Sequence, residues 1–232
     1  PAATFSGIGG SHMAEQGLVS LFPTEQLAII GIVAIPKRLP MILRRIREAT
    51  DAVLAAKPDV LVIIDSPDFT HRVARRVRAA DPSIPIVDYV SPTVWVWRPG
   101  RARKMRAYVD RLLAVLPFEP EVHRKLGGPP CSYVGHPLLD DLGALRPNAD
   151  ELARRSAQPP SLLVLPGSRR SEIKRNMAIF GETLRLLREQ GVAFDPVLPT
   201  VPHLAESVRA AAANWPVQPR IVVGEAEKRA AF

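Results

Sequence analysis

The sequence predicts an α/β protein built from two parallel-sheet domains, the second of them cut short. Short, unbroken apolar runs recur along the chain, and each is followed by a turn and then a longer amphipathic segment. Uninterrupted apolar strands are typical of parallel sheets that helices cover on both faces. A polar, proline-rich stretch interrupts this alternation, and a new series begins after it. We therefore predict a domain at 1–145, a linker at 146–161 and a partial domain at 162–232.

The apolar runs and the amphipathic segments define an order of elements. The predicted strands lie at 60–64, 84–90, 112–116, 162–165, 194–198 and 221–223. The predicted helices lie at 70–80, 101–109, 120–125, 170–190 and 203–214. In the longest helix, five apolar residues recur at steps of three and four, the spacing of one helical face: Ile173, Met177, Phe180, Leu184 and Leu187.

Composition restricts the classes of partner. The chain of 232 residues has 31 basic and 23 acidic residues and a formal net charge of +8. This balance favours anionic partners such as phosphorylated metabolites, acidic lipid surfaces or nucleic acid, although it also serves solubility alone. The single cysteine, Cys131, excludes internal disulfides and CxxC metal clusters. The sequence contains no uncharged apolar run of about 18 residues, so it predicts no membrane-spanning helix. Both ends interrupt regular elements, so we expect an internal piece of a longer protein.

An acidic motif, Asp65-Ser66-Pro67-Asp68, follows the strand predicted at 60–64. Open α/β sheets bind ligands beyond the carboxyl ends of their strands. A carboxylate at that edge can act as a general base, contributing about 10²–10⁴-fold to the rate. Because ending an apolar run on an acid costs desolvation energy, we favour a functional role for Asp65. Asp68 is expected to cap a helix that begins near Thr70, with a place in the substrate cleft as the alternative.

A glycine turn, "LPGSRRSEI", follows the strand predicted at 162–165. A strand, a glycine turn and a helix N-terminus form an anion site from backbone N–H groups and the helix dipole. The Ser168 hydroxyl and the Arg169 guanidinium can add hydrogen bonds. The spacing differs from that of a P-loop. Glu172 has an alternative role, because it could complete a capping box with Ser168 or pair with the basic residues around it.

Weaker signals lie in "YVSPTVWVWRPGRARKMR" and "VGHPLLD". The first places Trp95 and Trp97 on one side of an extended segment before a basic helix. Such interleaving could suggest nucleic acid, but aromatic packing beside a solvated basic face is the simpler interpretation. Ser91 and His136 follow strands and are candidate cleft residues, with a structural role as the alternative for His136.

The stretch at 27–49, "LAIIGIVAIPKRLPMILRRIREA", mixes apolar residues with two prolines and five cations. Such a segment could dip into an anionic bilayer surface, with its basic side chains on lipid phosphates. The alternative is an ordinary core helix with a basic outer face.

In their order and spacing, seven segments resemble lipid-A-disaccharide synthase, an inverting glycosyltransferase family (family 19) of the GT-B type. They are "FSGIGGSHM", "LAIIGIVAI", "KPDVLVIIDSPDFTHRVAR", "YVSPTVWVWRPGR", "LAVLPFEPEVHRK", "YVGHPLLD" and "LLVLPGSRRSEI". The resemblance implies two Rossmann-like parallel-sheet domains, of which the second is truncated. The family's glycine-rich first segment and a later donor-binding segment have no match, so this piece is expected to be inactive alone.

The resemblance also implies a reaction. UDP-2,3-diacylglucosamine would donate its sugar to 2,3-diacylglucosamine 1-phosphate, giving a β-1,6-linked disaccharide 1-phosphate and UDP. Neither a metal nor another cofactor is implied, and nucleic acid is not an expected partner. The enzyme is expected in the cytoplasm, peripheral on the inner face of the inner membrane, where an anionic lipid surface is a further partner. The alternatives are another UDP-sugar enzyme, such as a 2-epimerase, and a non-catalytic module that binds anionic lipid.

Residue roles follow from the matched motifs. Asp65 matches the family's proposed base and Arg169 matches an arginine of the donor site. The turn from Pro166 through Gly167, Ser168 and Arg169 to Glu172 would bind the donor diphosphate. The 27–49 stretch is then expected to contact membrane or acyl chains through seven residues: Ile30, Ile32, Val33, Ile35, Leu39, Ile42 and Leu43. One departure is Thr70, where the family usually has asparagine.

Overall fold

The computed structural model describes residues 3–24, 35–140, 142–154, 156 and 158–232. The chain divides into two compact units, Pro1–Leu139 and Asp140–Phe232. Each unit contains one parallel sheet, so the predicted α/β class with two parallel sheets is confirmed. The division precedes the stretch predicted as a linker, and a short helix, Ala149–Arg154, lies within that stretch.

The first unit has a four-stranded sheet in the order β1-β2-β3-β4. Its strands are β1 (Leu61–Ile64), β2 (Ile86–Tyr89), β3 (Arg111–Ala114) and β4 (Cys131–Tyr133). Its helices are α1 (Ser11–Glu15), α2 (Ile35–Ala56), α3 (Pro67–Ala80), α4 (Gly100–Met105) and α5 (Glu119–Lys125), followed by a 3₁₀ turn at Pro137–Leu139. Each strand pairs in parallel with the next one in sequence, an order in which crossovers of the usual right hand place the connecting helices on one face.

The two faces of this sheet differ in burial. The register places Ile63, Ile86 and Leu112 on the same face of the sheet, where all three are buried in the core. Val62 and Ile64 point to the opposite face and remain 48% and 42% exposed. The alternation has its origin in the strand period of two, because successive side chains leave a strand on opposite faces.

Helix α2 packs against α3 and runs through Pro40 without ending. Ile46 anchors it in the core, while Leu39 and Leu43 are exposed. Ile42 is half-buried against the core, as the core-helix alternative expects. The predicted contacts Ile30, Ile32 and Val33, and the side chain of Ile35, lie outside the described residues.

The second unit has a three-stranded sheet in the order β5-β6-β7. Its strands are β5 (Ser161–Leu163), β6 (Asp195–Pro199) and β7 (Arg220–Val222). Its helices are α6 (Leu142–Leu145), α7 (Ala149–Arg154), α8 (Arg170–Glu189), α9 (Ala205–Ala212) and α10 (Glu225–Ala231), with a 3₁₀ turn at Pro202–Leu204. The predicted apolar face of α8 is confirmed, since all five of its residues belong to the core or pack against it.

Candidate functional site

The turn between β1 and α3 has a strained backbone. Asp65 and Ser66 both adopt the left-handed region, with φ of 46° and 47°. For residues other than glycine this conformation costs about 1–2 kcal/mol each, so the surrounding contacts must hold it. The Asp65 N–H donates to the Tyr89 carbonyl at 3.1 Å. The Thr70 hydroxyl contacts the carbonyls of Asp65 and Ser66 at 2.6 and 3.1 Å.

This turn presents the Asp65 carboxylate at the carboxyl end of β1. The side chain is exposed and has no hydrogen bond or ion pair with any residue of the described ranges. It therefore keeps all its acceptor positions for a ligand. The structure thus places an exposed carboxylate, without a partner in the described residues, at the edge of the sheet where open α/β folds bind ligands.

Asp68 does not cap α3, and that expectation is wrong. The helix begins at Pro67, Ser66 is its N-cap residue, and no side chain caps it. Proline at the first helical position starts the helix early, because its φ is already helical and it lacks the N–H that would go unpaired. Asp68 is therefore the second residue of the helix. Its side chain is 88% exposed and lies 3.3 Å from Arg101.

A buried polar chain lies on the helix-covered face of the same sheet. Asp88, on β2, is fully buried, and its carboxylate lies 3.3 Å from His71 Nε2. His71 Nδ1 lies 2.9 Å from the Tyr108 hydroxyl. Burial raises the pKa of Asp88; the contact with His71 opposes this rise and the charge of Asp65 adds to it. Sequence reasoning missed these residues, although an acid inside the apolar run "IVDYV" was a signal.

Ser91, a predicted cleft residue, is buried and its hydroxyl already has partners. Ser91 Oγ lies 2.8 Å from His123 Nε2 and 2.9 Å from the Pro92 carbonyl. Burial lowers the pKa of His123, which favours the neutral imidazole. Its neighbour Glu119 is also buried, and its carboxylate accepts the Leu116 N–H at 2.8 Å. We therefore assign Ser91 to the support of this loop, in place of the predicted cleft contact.

Trp95 and Trp97 were expected on one side of an extended segment, but the segment that carries them is not extended. The chain turns here, with the N–H groups of Val96 and Trp97 donating to the Thr93 carbonyl. The Trp95 ring packs edge-on against Phe118 at 5.1 Å. Trp97 is 63% exposed, and its only described ring contact is the guanidinium of the next residue, Arg98. The predicted extended segment is wrong, because the backbone turns between Thr93 and Trp97.

His136, the last predicted cleft residue, follows β4 and is half-buried. Its Nδ1 accepts the Leu138 N–H at 3.2 Å, so the ring supports the turn that leads into Pro137–Leu139. This contact fits the structural alternative.

The turn between β5 and α8 has the predicted glycine and a helix N-terminus. Gly167 has φ of +113°, which glycine adopts readily and other residues rarely do. Arg169, with an extended backbone, is the N-cap residue. The Pro166 carbonyl accepts a hydrogen bond from the Asn176 side chain at 2.9 Å, which ties the turn to α8.

An internal carboxylate already occupies this predicted anion site. Glu172 Oε2 accepts the N–H groups of Ser168 and Arg169 at 3.0 and 3.2 Å. Its Oε1 accepts the Arg169 guanidinium at 2.8 Å. These contacts, the guanidinium first among them, lower the pKa of Glu172. Glu172 therefore caps the N-terminus of α8 from its third position, and the N-cap residue is Arg169, one residue after the predicted Ser168, with no acceptor on its side chain to complete a capping box. A diphosphate that uses the same N–H groups must displace Glu172.

Two classes of feature are not found in the part of the chain that the structure describes. No group of three or more His, Cys, Asp or Glu side chains could hold a metal ion. No helix among these residues is long and apolar enough to cross a membrane.

Residues 1–232 match the sequence profile of a family described as lipid-A-disaccharide synthetase. The chain belongs to the lipid-A-disaccharide synthase family. A lipid-A-disaccharide synthase of Rhodopseudomonas palustris is 70% identical over 228 residues, covering 98% of this chain and 58% of the relative. Proteins of the same name from Nitrobacter hamburgensis and Rhodospirillum centenum are 68% and 47% identical, covering 100% and 98% of this chain and 58% and 57% of their own length. The chain thus spans somewhat more than half the length of these relatives.

Two solved structures are similar to this chain in fold. The Staphylococcus aureus MnaA–UDP structure superposes with a TM-score of 0.58 at 14% identity, covering 96% of this chain and 68% of its own. The UDP-GlcNAc 2-epimerase of Neisseria meningitidis, bound to UDP-GlcNAc, gives 0.57 at 13% identity, covering 95% and 64%. At these identities the similarity shows the fold alone, which agrees with the predicted GT-B fold class of two Rossmann-like parallel sheets.

Proposed function

We propose that the protein transfers the sugar of UDP-2,3-diacylglucosamine to the 6-hydroxyl of 2,3-diacylglucosamine 1-phosphate. The products are the β-1,6-linked disaccharide 1-phosphate and UDP. Membership of the lipid-A-disaccharide synthase family supports the reaction class. The observation that carries the mechanism is the exposed Asp65 carboxylate, which a strained turn holds at the end of β1.

The proposed step is a displacement at the anomeric carbon with inversion. The acceptor hydroxyl oxygen forms a bond to that carbon as the bond to the UDP oxygen breaks on the opposite face. Asp65 accepts the hydroxyl proton, because a carboxylate in hydrogen-bond reach makes the oxygen a better nucleophile. UDP departs with the bonding electron pair and therefore gains negative charge.

The β5–α8 turn is the proposed binding site for that negative charge. Its backbone N–H groups, the N-terminus of α8 and the Arg169 guanidinium favour an anion, and the bound Glu172 carboxylate is consistent with this preference. We assign the donor diphosphate to Pro166, Gly167, Ser168 and Arg169. Glu172 is assigned as the internal competitor that leaves when UDP binds.

The two units receive different roles in this proposal. The first unit would bind the acceptor and the membrane surface, and the second would bind the UDP-sugar. We place the enzyme on the cytoplasmic, anionic face of the inner membrane, because both substrates carry acyl chains and negative charge. Among the predicted contacts in the described residues, Leu39 and Leu43 are exposed on α2 and suit a lipid surface.

The decisive assay uses the full-length gene product with both acylated substrates. We expect UDP release that depends on the acceptor and yields disaccharide 1-phosphate, identified by mass spectrometry. Release of UDP without disaccharide would overturn the proposal. Conversion of unacylated UDP-N-acetylglucosamine alone to its 2-epimer would instead assign the protein to the epimerases.

The membrane assignment has a separate test. The Leu39→Ser/Leu43→Ser variant should bind less to vesicles that contain phosphatidylglycerol, because it loses two exposed apolar side chains. Ile179→Ser, which changes an exposed apolar residue on α8, is the matched control and should bind as the wild type does. Equal vesicle binding by all three proteins would remove α2 from the proposed membrane surface.

A further inference from the structure

The Thr70 hydroxyl makes a contact that an ordinary helical threonine does not make. Threonine inside a helix commonly donates to the carbonyl four residues earlier. Thr70 has this partner, the Ser66 carbonyl, at 3.1 Å, but a shorter contact of 2.6 Å joins its hydroxyl to the carbonyl of Asp65. The Thr70 backbone N–H already donates to the Ser66 carbonyl at 3.0 Å. The hydroxyl proton is therefore available for Asp65.

No other contact within the described ranges reaches the Asp65 carbonyl. The strand side of the turn is held through the Asp65 N–H, which donates to Tyr89. On the helix side, the Asp65 carbonyl accepts a hydrogen bond only from the Thr70 hydroxyl among the described residues. Between these two hydrogen bonds, Asp65 keeps a left-handed conformation that a residue with a Cβ adopts at a cost.

We propose that Thr70 is a positioning residue for Asp65: its hydroxyl holds the Asp65 carbonyl and so maintains the left-handed turn that presents the carboxylate to the acceptor. This inference rests on the proposed function, because positioning has a catalytic consequence only if Asp65 is the base. Thr70 does not touch the reacting atoms. Its loss should therefore change the turnover rate and leave the binding of donor unchanged.

The chemistry of the contact predicts which substitutions keep the turn. An asparagine amide, like the threonine hydroxyl, is a hydrogen-bond donor on a short side chain. A donor to the Asp65 carbonyl, rather than a hydroxyl as such, is then the requirement. Thr70→Ser and Thr70→Asn should both retain function, whereas Thr70→Val, which has nearly the same shape, should not.

The first experiment compares these variants in the full-length gene product. We expect Thr70→Val to lower kcat by about 10-fold or more, since small displacements of a catalytic group are costly, with the donor KM within twofold of wild type. Thr70→Ser and Thr70→Asn should stay within about threefold in kcat. The matched control is Thr183→Val, which removes an ordinary helical contact to the Ile179 carbonyl at 2.8 Å and should leave kcat unchanged.

The second experiment needs no turnover. The carbon-13 NMR chemical shifts of Asp65 and Ser66 report the left-handed backbone. We expect these chemical shifts to change in Thr70→Val but not in Thr70→Ser. Thermal unfolding of each variant separates this local change from loss of the fold.

The outcomes distinguish the two proposals. A Thr70→Val enzyme with wild-type kcat, or with unchanged shifts at Asp65, overturns the positioning role. A rise in acceptor or donor KM at constant kcat also overturns it, because it would place Thr70 against substrate. If the wild-type protein makes no disaccharide while the shifts still move, the proposed function fails and Thr70 holds a turn without a catalytic consequence.

Discussion

The β1–α3 turn and the β5–α8 turn both connect a parallel strand to a helix, but they treat their charged groups in opposite ways. In the first, residues other than glycine take the left-handed conformation, and the Asp65 carboxylate is left without a partner in the described residues. In the second, Gly167 provides the unusual backbone at little cost, and the Glu172 carboxylate binds the N–H groups of its own turn. One turn holds an unpartnered acid on a strained backbone, whereas the other satisfies its backbone N–H groups with its own glutamate.

This difference indicates a different role for each turn. An exposed acid on a strained turn is ready to accept a proton, and strain of this kind is typical of functional sites. A helix N-terminus that already binds a carboxylate is matched in charge and geometry to an anion, but it must exchange one anion for another. The first turn is thus suited to chemistry and the second to reversible binding.

The largest effect is expected at the strained turn. Asp65→Asn should lower kcat for disaccharide formation by about 10²–10⁴-fold, because the amide cannot accept the acceptor proton. Steady-state kinetics with both acylated substrates measure it. Asp59→Asn, which changes an exposed acid before the amino end of β1, is the control and should retain most of its activity. Near-normal turnover in the Asp65 variant would remove the base from this turn.

A smaller effect is expected from the cation of the second turn. Arg169→Ala should raise the donor KM or lower kcat by about 10-fold or more, since a charge-assisted hydrogen bond contributes about 1.5–3 kcal/mol. Arg170→Ala, at the adjacent position, controls for loss of positive charge in general. If the two variants behave alike, only the overall charge matters and Arg169 has no specific role.

Substitution of Glu172 tests whether its carboxylate competes with the donor or contacts it. Glu172→Gln weakens the internal anion but retains an acceptor oxygen, so UDP should bind several-fold more tightly by calorimetry. If Glu172 contacts the donor, as the sequence alone predicted, UDP should bind more weakly. The sign of the change therefore decides between the two roles.

The same contact predicts a pH dependence. The pKa of Glu172 is lowered in the folded chain, so its contribution to stability is present above the ordinary glutamate pKa and is lost as pH falls through the lowered value. Amide hydrogen exchange at Ser168 and Arg169, corrected for the intrinsic effect of pH, should show falling protection over that acidic range. In Glu172→Gln the protection should not depend on pH.

The smallest effects concern the backbone of the two turns. Gly167→Ala should lower the free energy of unfolding by about 1–2 kcal/mol, because φ of +113° disfavours a Cβ that would also collide with Glu172. Ser66→Gly should change it by less than about 0.5 kcal/mol, since relief of left-handed strain offsets the added flexibility of the unfolded chain. Urea unfolding measures both, and equal losses would show that the turns do not differ in strain.

The sequence was sufficient for six of the seven strands in the described residues and for the position of the two turns, whereas β4 was not among the predicted strands. Apolar runs placed the strands within one or two residues, as for the strand expected at 60–64 and found at Leu61–Ile64. The spacing of three and four placed α8. These signals are local, because the period of a strand or a helix is set by its own side chains.

The contacts that the sequence did not reveal join distant residues or depend on competing local preferences. His71 meets Asp88 and Tyr108 across 17 and 37 positions of sequence, and no local period links them. The cap was misplaced because Pro67 starts α3 before Asp68. That Glu172 fills the anion site was not predictable from a motif, since the same residues would bind either a carboxylate or a phosphate.

The most direct test of this division between chemistry and binding is the UDP affinity of Asp65→Asn and Arg169→Ala, measured side by side with their turnover. We expect Asp65→Asn to bind UDP as the wild type does but to lose turnover by about 10²–10⁴-fold. We expect Arg169→Ala to bind UDP about 10-fold more weakly. Weakened UDP binding in Asp65→Asn, or unchanged UDP binding in Arg169→Ala, would contradict this division of roles.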